Sequence, residues 1–317
     1  MNPEKLIKSR LGYGCGLLMG RTSEIDSLRI LEAAYEHGIR HFDVAPMYGY
    51  GQAEAVLGKF LKGKRDRVSI ATKAGLVPPK INTRFRMARS AARALVSIVP
   101  SSRKFFRLAA ASTVRKVPLS PEFLRKSLHA SLRAMCVSHV DIFLLHECEP
   151  IDFERDELFE ELEKLTAEGL IRTYGTGSKP SVMEQLLARH ASRVKVAQFE
   201  NNAINRNVDR FNVTIAELVI THSAVGPVLK RLQKNATGRG ELTATWQKEL
   251  GLSTDRTHDL ARLLLAYAMH KNPKGGVLFS TLNAKHLKSN TSLLFDTEPY
   301  SLEQFERLEQ LAAKAEA

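Results

Sequence analysis

Four titratable side chains stand at equivalent places along the chain. Asp43 closes the apolar run IRHFDV (39–44), and Tyr48 follows it in a glycine-flanked stretch, YGYG. Lys73 ends RVSIATK (67–73), and His146 ends HVDIFLLH (139–146). Singly, each has an ordinary explanation: a turn-forming aspartate, a solvated lysine, a core histidine. Together they make a coherent acid–base set. A free tyrosine, with a pKa of about 10, is poorly matched to proton transfer at neutral pH. A neighbouring ammonium favours the phenolate, so Lys73 is expected to lower the pKa of Tyr48, with Asp43 holding the lysine charged and oriented. A histidine across the pocket can donate a hydrogen bond to a substrate oxygen. Such a set protonates a carbonyl oxygen as negative charge develops on it. None of the four is a hydride source, so a cofactor must bring the electrons.

These residues can meet only if the strand ends that carry them converge. Short apolar runs at 11–19, 39–44, 67–72, 139–146, 171–177, 194–199, 216–223 and 275–281 alternate with helical patterns. Ser23 with Asp26 and Ser181 with Glu184 read as capping boxes, and Ser120-Pro121-Glu122 as a helix start. Segments 122–136 and 153–168 carry apolar residues at helical spacing. Eight strand–helix units predict an α/β fold, a closed (β/α)8 TIM barrel in one domain over 1–317, whose strand C-termini share one face. A doubly wound sheet is the alternative. Its glycine fingerprint is missing, because Glu54 stands where GYGQAE (49–54) needs a small residue.

One insertion breaks the rhythm after the third strand, at about residues 76–119. Residues 74–121 contain ten Lys or Arg and no Asp or Glu, a large part of the net charge of +13. Within it, Phe85, Ala88, Ala92, Leu95 and Val99 share one helical face, and 102–117 reads as a second basic amphipathic piece. This predicts a basic helical lid, or a docking face for an anionic substrate or membrane surface. With only Phe85, Phe105 and Phe106 as aromatics and no recognised module, the insertion argues against nucleic acid.

The remaining composition is that of a soluble globular chain, 44% hydrophobic and 26% charged. No apolar run reaches the roughly 18 residues of a membrane span, and the first residues lack a signal-like apolar core. Three cysteines without metal-ligand spacing suit a reducing compartment, so the expected location is the cytoplasm and no metal is expected.

In order along the chain, GIRHFDVAPMYGYGQAEAVLGKFL, VSIATKAGL, SLHASLRAMCVSHVDIFLLHECEP, EGLIRTYGTGS, VAQFENNAIN and VLFSTLNAKHLKSN resemble the successive signatures of the aldo-keto reductases. That resemblance covers almost the whole chain. It implies a (β/α)8 barrel carrying an NAD(P)H-dependent oxidoreductase of small carbonyl or sugar substrates. It implies Tyr48 as proton donor, Lys73 and Asp43 as its tuners and His146 as substrate orienter. Ser178 and Gln198 match residues that bind the nicotinamide carboxamide, and Asn290 matches an adenine-side asparagine. His222 and Ser223, and Ser280 with Thr281 and His286, fall in the other cofactor-binding segments. The chain departs from the family pattern at Lys179, where asparagine is common, at His222, where a tyrosine often stacks, and at Ser280 and His286, where NADPH-preferring members often carry lysine and arginine. The family pattern tilts the expected cofactor toward NADP(H) over NAD(H). The alternative is a catalytically weak nucleotide-binding barrel acting as a sensor or partner subunit. Cys148, two residues beyond His146, could suggest a Cys–His nucleophile, but no oxyanion motif accompanies it.

Overall fold

The computed structural model describes residues 6–20, 22–78, 114–211, 213, 216–234, 241–253, 257–296 and 299–316. Ten strands follow in chain order: β1 (Leu11–Gly14), β2 (His41–Asp43), β3 (Ser69–Ala74), β4 (Leu76–Val77), β5 (Arg115–Lys116), β6 (Val140–His146), β7 (Ile171–Gly177), β8 (Val196–Glu200), β9 (Leu218–His222) and β10 (Gly276–Phe279). Eight of them close into a parallel barrel in the order β1-β10-β9-β8-β7-β6-β3-β2, with β2 returning to β1. This is the expected (β/α)8 architecture, and all eight predicted strands belong to it.

Helix starts follow local chemistry. Ser23 Oγ accepts from the Asp26 N–H at 3.1 Å and opens Glu24–Glu36. Ser120 Oγ accepts from the Phe123 N–H at 3.1 Å, with Pro121 in the first turn of Pro121–Met135. The box expected at Ser181 and Glu184 does not form. Helix Pro180–Arg189 begins two residues earlier than a Ser181 cap would place it, with Lys179 as its cap, because the fixed φ of Pro180 already suits the first helical position.

The core has two compartments. Between strands and helices lie Leu31, Phe42, Phe60, Leu128, Phe143 and Leu162, with Phe42 and Phe60 ring centroids 5.0 Å apart. Inside the barrel, Ala71, Ile142, Leu144, Val196, Ile220 and Leu278 pack with Leu6 and Ile7 of the N-terminal segment, which plug the end where the strands begin. The opposite end, where the strands finish, is left to polar side chains.

The predicted helical faces over 83–99 and 102–113 lie outside the described residues. The ends of the insertion do not. β4 and β5 pair antiparallel, Leu76 with Lys116 and Val77 with Arg115, so residues 115–116 extend as a strand where a helical piece was expected. No helix among the described residues is long and apolar enough to cross a membrane.

Candidate active site

Asp43 is the last residue of β2, and Lys73 lies near the end of the adjacent β3, two residues beyond Asp43's register partner Ala71. The lysine turns back so that its Nζ donates to Asp43 Oδ2 at 2.5 Å. Gln198, from β8, donates its Nε2 to the same oxygen at 2.8 Å. Both members of the ion pair are buried, with side chains 2% and 4% exposed. Burial alone would raise the Asp43 carboxyl, but the charge and hydrogen bond of Lys73, joined by the Gln198 amide, hold it below its ordinary value.

Tyr48 begins a short 3-10 turn, Tyr48–Tyr50, beyond β2. Gly49 turns there with φ +57°, and a Cβ on it would come within 2.6 Å of the Leu18 carbonyl. That accounts for the glycine after the tyrosine. The expected lowering of the Tyr48 pKa does not occur. Burial, then the Asp43 charge and Cys15, raise the phenol well above its ordinary value. Lys73 is paired with Asp43, so its field at the tyrosine is largely cancelled. Tyr48 therefore holds its proton firmly.

His146 closes β6. Burial first, and the Lys73 charge second, push its pKa down to about 3, so the ring is neutral. Its Nδ1 is buried without a hydrogen-bond partner among the described residues.

The residues matched to cofactor binding occupy the other strand ends. Ser178 follows β7, with Oγ 2.8 Å from Thr176 Oγ1 and 3.2 Å from Cys148 Sγ. His222 ends β9, its Nδ1 2.8 Å from Ser223 Oγ, and burial lowers its pKa. Ser223 takes a left-handed φ of +64°. Beyond β10, Ser280 Oγ donates to the Gly14 carbonyl at 2.6 Å, and Thr281 Oγ1 accepts from the Asn283 N–H at 3.2 Å. Asn283 caps helix Ala284–Thr291, accepting from the N–H groups of Lys285 and His286. His286 and Asn290 lie on that helix.

One cavity of about 1420 Å³ collects all twelve: Asp43, Tyr48, Lys73 and His146, with Ser178, Gln198, His222, Ser223, Ser280, Thr281, His286 and Asn290. Sequence reasoning missed part of its wall. Helices Gly226–Lys234, Glu241–Glu249 and Thr257–Lys271 contribute Leu229, Thr243, Gln247 and His258, and Glu147 and Glu200 also face the cavity. The glutamates follow or end barrel strands, a positional signal that could have found them. The helical residues come from a long connection with no strand to index it. Cys148 does not form a nucleophile pair: its thiol bonds Thr176 and Ser178, and burial raises its pKa.

A family model described as the aldo/keto reductase family matches residues 10–313. The chain belongs to the aldo/keto reductase family. Among curated proteins, it is 32% identical over 177 residues to D-threo-aldose 1-dehydrogenase of Pseudomonas sp, covering 54% of this chain and 50% of that protein. It is 28% identical over 204 residues to 6-dehydroglucose reductase of Agrobacterium fabrum, covering 62% and 59%. The chain spans about half the length of the curated relatives it matches. An aldo-keto reductase from Bacillus halodurans, in its holo form, superposes with a TM-score of 0.69 at 22% identity, over 95% of this chain and 91% of that one. Glycerol dehydrogenase from Gluconobacter oxydans does so with a TM-score of 0.69 at 18% identity, over 96% and 92%. At that identity the superpositions establish the barrel fold alone.

Proposed function

We propose that the protein is an NAD(P)H-dependent oxidoreductase interconverting an aldehyde or ketone and the corresponding alcohol, with Tyr48 as general acid and base. The observation that carries this is the convergence of Tyr48, the Asp43–Lys73 pair and His146 on the same cavity as the residues suited to a dinucleotide. The donor set fits such a ligand. Ser178 and Gln198 offer polar atoms for an amide, His222 offers a flat neutral ring, and the Asn283-capped helix presents His286 and Asn290.

A reduced nicotinamide, when bound, supplies the hydride that no side chain here can give. The chain's own residues handle the oxygen. Neutral His146 can donate one N–H to the substrate carbonyl and fix its direction. Tyr48 passes its phenolic proton to that oxygen as negative charge grows there. The buried Lys73, oriented by Asp43, lines the same cavity, and the part of its charge that Asp43 leaves uncancelled limits the cost of the phenolate. In the reverse direction the phenolate takes the alcohol proton.

The names of the relatives, an aldose dehydrogenase and a dehydroglucose reductase, support a small sugar or related carbonyl compound as substrate. The family resemblance favours NADP(H) over NAD(H). Paired calorimetric titration with NADPH and NADH, followed by assays of aldehydes, ketones and aldoses with the tighter binder, tests the reading. Binding and turnover are expected; a folded protein that binds neither dinucleotide would refute it.

A further inference from the structure

Three buried polar side chains form a triangle behind the cavity wall. Thr176 Oγ1 lies 2.8 Å from Ser178 Oγ and 3.0 Å from Cys148 Sγ, and the Ser178 and Cys148 heteroatoms are 3.2 Å apart. Thr176 is fully buried, Cys148 is 2% exposed and Ser178 5% exposed. Of these three, only Ser178 lines the cavity.

The Leu145 carbonyl, which can only accept, favours one arrangement of the hydrogens in this triangle. Thr176 donates its own to the Leu145 carbonyl at 3.2 Å, so it meets its two neighbours as an acceptor. The Ser178 hydroxyl hydrogen then has a good acceptor inside the wall, Thr176, and a weaker one, Cys148. With that hydrogen turned inward, the Ser178 oxygen can present only a lone pair to the cavity. Gln198 spends one of its two amide N–H donors on Asp43, and its amide oxygen remains as a further acceptor.

We propose that Thr176 and Cys148 are positioning residues that hold Ser178 as a hydrogen-bond acceptor, so that this wall selects a ligand presenting an N–H donor, here the amide nitrogen of a nicotinamide carboxamide. The inference rests on the cofactor reading above. It adds the residues that set the polarity of the amide subsite and the analogue that the subsite must reject.

The test compares dissociation constants for the preferred nicotinamide dinucleotide and for its 3-acetylpyridine counterpart, whose methyl ketone keeps the oxygen but lacks the amide N–H. The unmodified protein should bind the nicotinamide form roughly five- to tenfold more tightly, the worth of about one hydrogen bond. In the Thr176→Val, Cys148→Ala double variant the Ser178 hydrogen is free to turn outward, and the ratio should fall toward one. Cys148→Ala alone leaves Thr176 as acceptor and should keep the ratio, as should Thr176→Ser. Thermal melts of the ligand-free variants report on the fold. A merely structural role would weaken both dinucleotides alike and leave the ratio unmoved. If the double variant does not fold, Ser178→Ala serves instead and must lower affinity for the nicotinamide form only. A ratio near one in the unmodified protein, or an unchanged ratio in the variants, overturns the proposal while the cofactor reading stands. Failure of the unmodified protein to bind either dinucleotide overturns both.

Discussion

Gln198 and Asp43 meet across the full width of the barrel. They sit on β8 and β2, four positions apart in the closed eight-strand order and so opposite each other, and their side chains join at 2.8 Å. With Lys73 on the same Asp43 oxygen, three strands are tied by one buried carboxylate. The chemistry proposed for Tyr48 stands on this cross-brace, because the brace determines how much of the Lys73 charge reaches the phenol.

Removing the lysine should be costly for stability. Lys73→Met leaves Asp43 ionised and buried with one neutral donor, and a broken buried pair of this kind costs about 3–5 kcal/mol. Adding Asp43→Asn removes the stranded charge, so the double variant should be more stable than Lys73→Met. Urea denaturation of both variants decides it; a double variant no more stable than the single would show that the pair is not the source of the loss.

Tyr48→Phe should lower turnover by at least about a hundredfold while the dissociation constant of the cofactor changes by less than about twofold. The phenyl ring keeps the packing against Gly16, where a Cβ would lie 3.7 Å from the tyrosine ring. Steady-state rates and calorimetry on one preparation check both halves.

The pH profile follows from the pKa directions. Tyr48 is raised, Asp43 is lowered, and His146 stays neutral down to about 3. Carbonyl reduction should therefore hold a plateau from about pH 5 to pH 9, because the acid keeps its proton throughout. Alcohol oxidation needs the phenolate and should climb with pH over the same range. A reduction rate that falls between pH 7 and pH 8 would show a phenol with a lowered pKa.

Acid should weaken the fold through a histidine outside the reaction. His41 is fully buried, bonds Ser69 Oγ at 3.0 Å, and has its pKa pushed down to about 4 by burial. Its unfolded form takes up a proton near pH 6.5, so the unfolded state binds more protons between there and about pH 4. Stability is retained above pH 6.5 and falls with pH through that window, by on the order of 3 kcal/mol for this group. Urea midpoints at pH 7 and pH 5 should show a larger drop for the unmodified protein than for His41→Asn. Equal drops would place the acid sensitivity elsewhere.

The strands were legible because each is a short apolar or β-branched run between helical patterns, and a polar residue at or near the C-terminal end of three of them marked Asp43, Lys73 and His146. Two things were not legible. The sign of the Tyr48 shift depends on whether Lys73 is already paired and on how deeply the phenol is buried, and neither is a property of spacing. The wall built by Thr243, Gln247 and His258 comes from helices whose polar residues look like ordinary solvated faces until the barrel brings them over the cavity. Ser181 failed as a cap because the proline before it already provides a helix start, a competition between two valid signals.

Gly75, between β3 and β4, has φ +131°, and a Cβ there would come within 2.4 Å of the His146 carbonyl oxygen. Its own carbonyl accepts from the Val117 N–H at 2.8 Å, so the departing and returning ends of the insertion are clasped beside the histidine. For anyone exchanging this insertion for another loop, the clasp sets the splice points. A cassette bounded by Leu76 and Lys116 leaves the clasp whole, whereas a cut one residue earlier would disturb the histidine along with the loop.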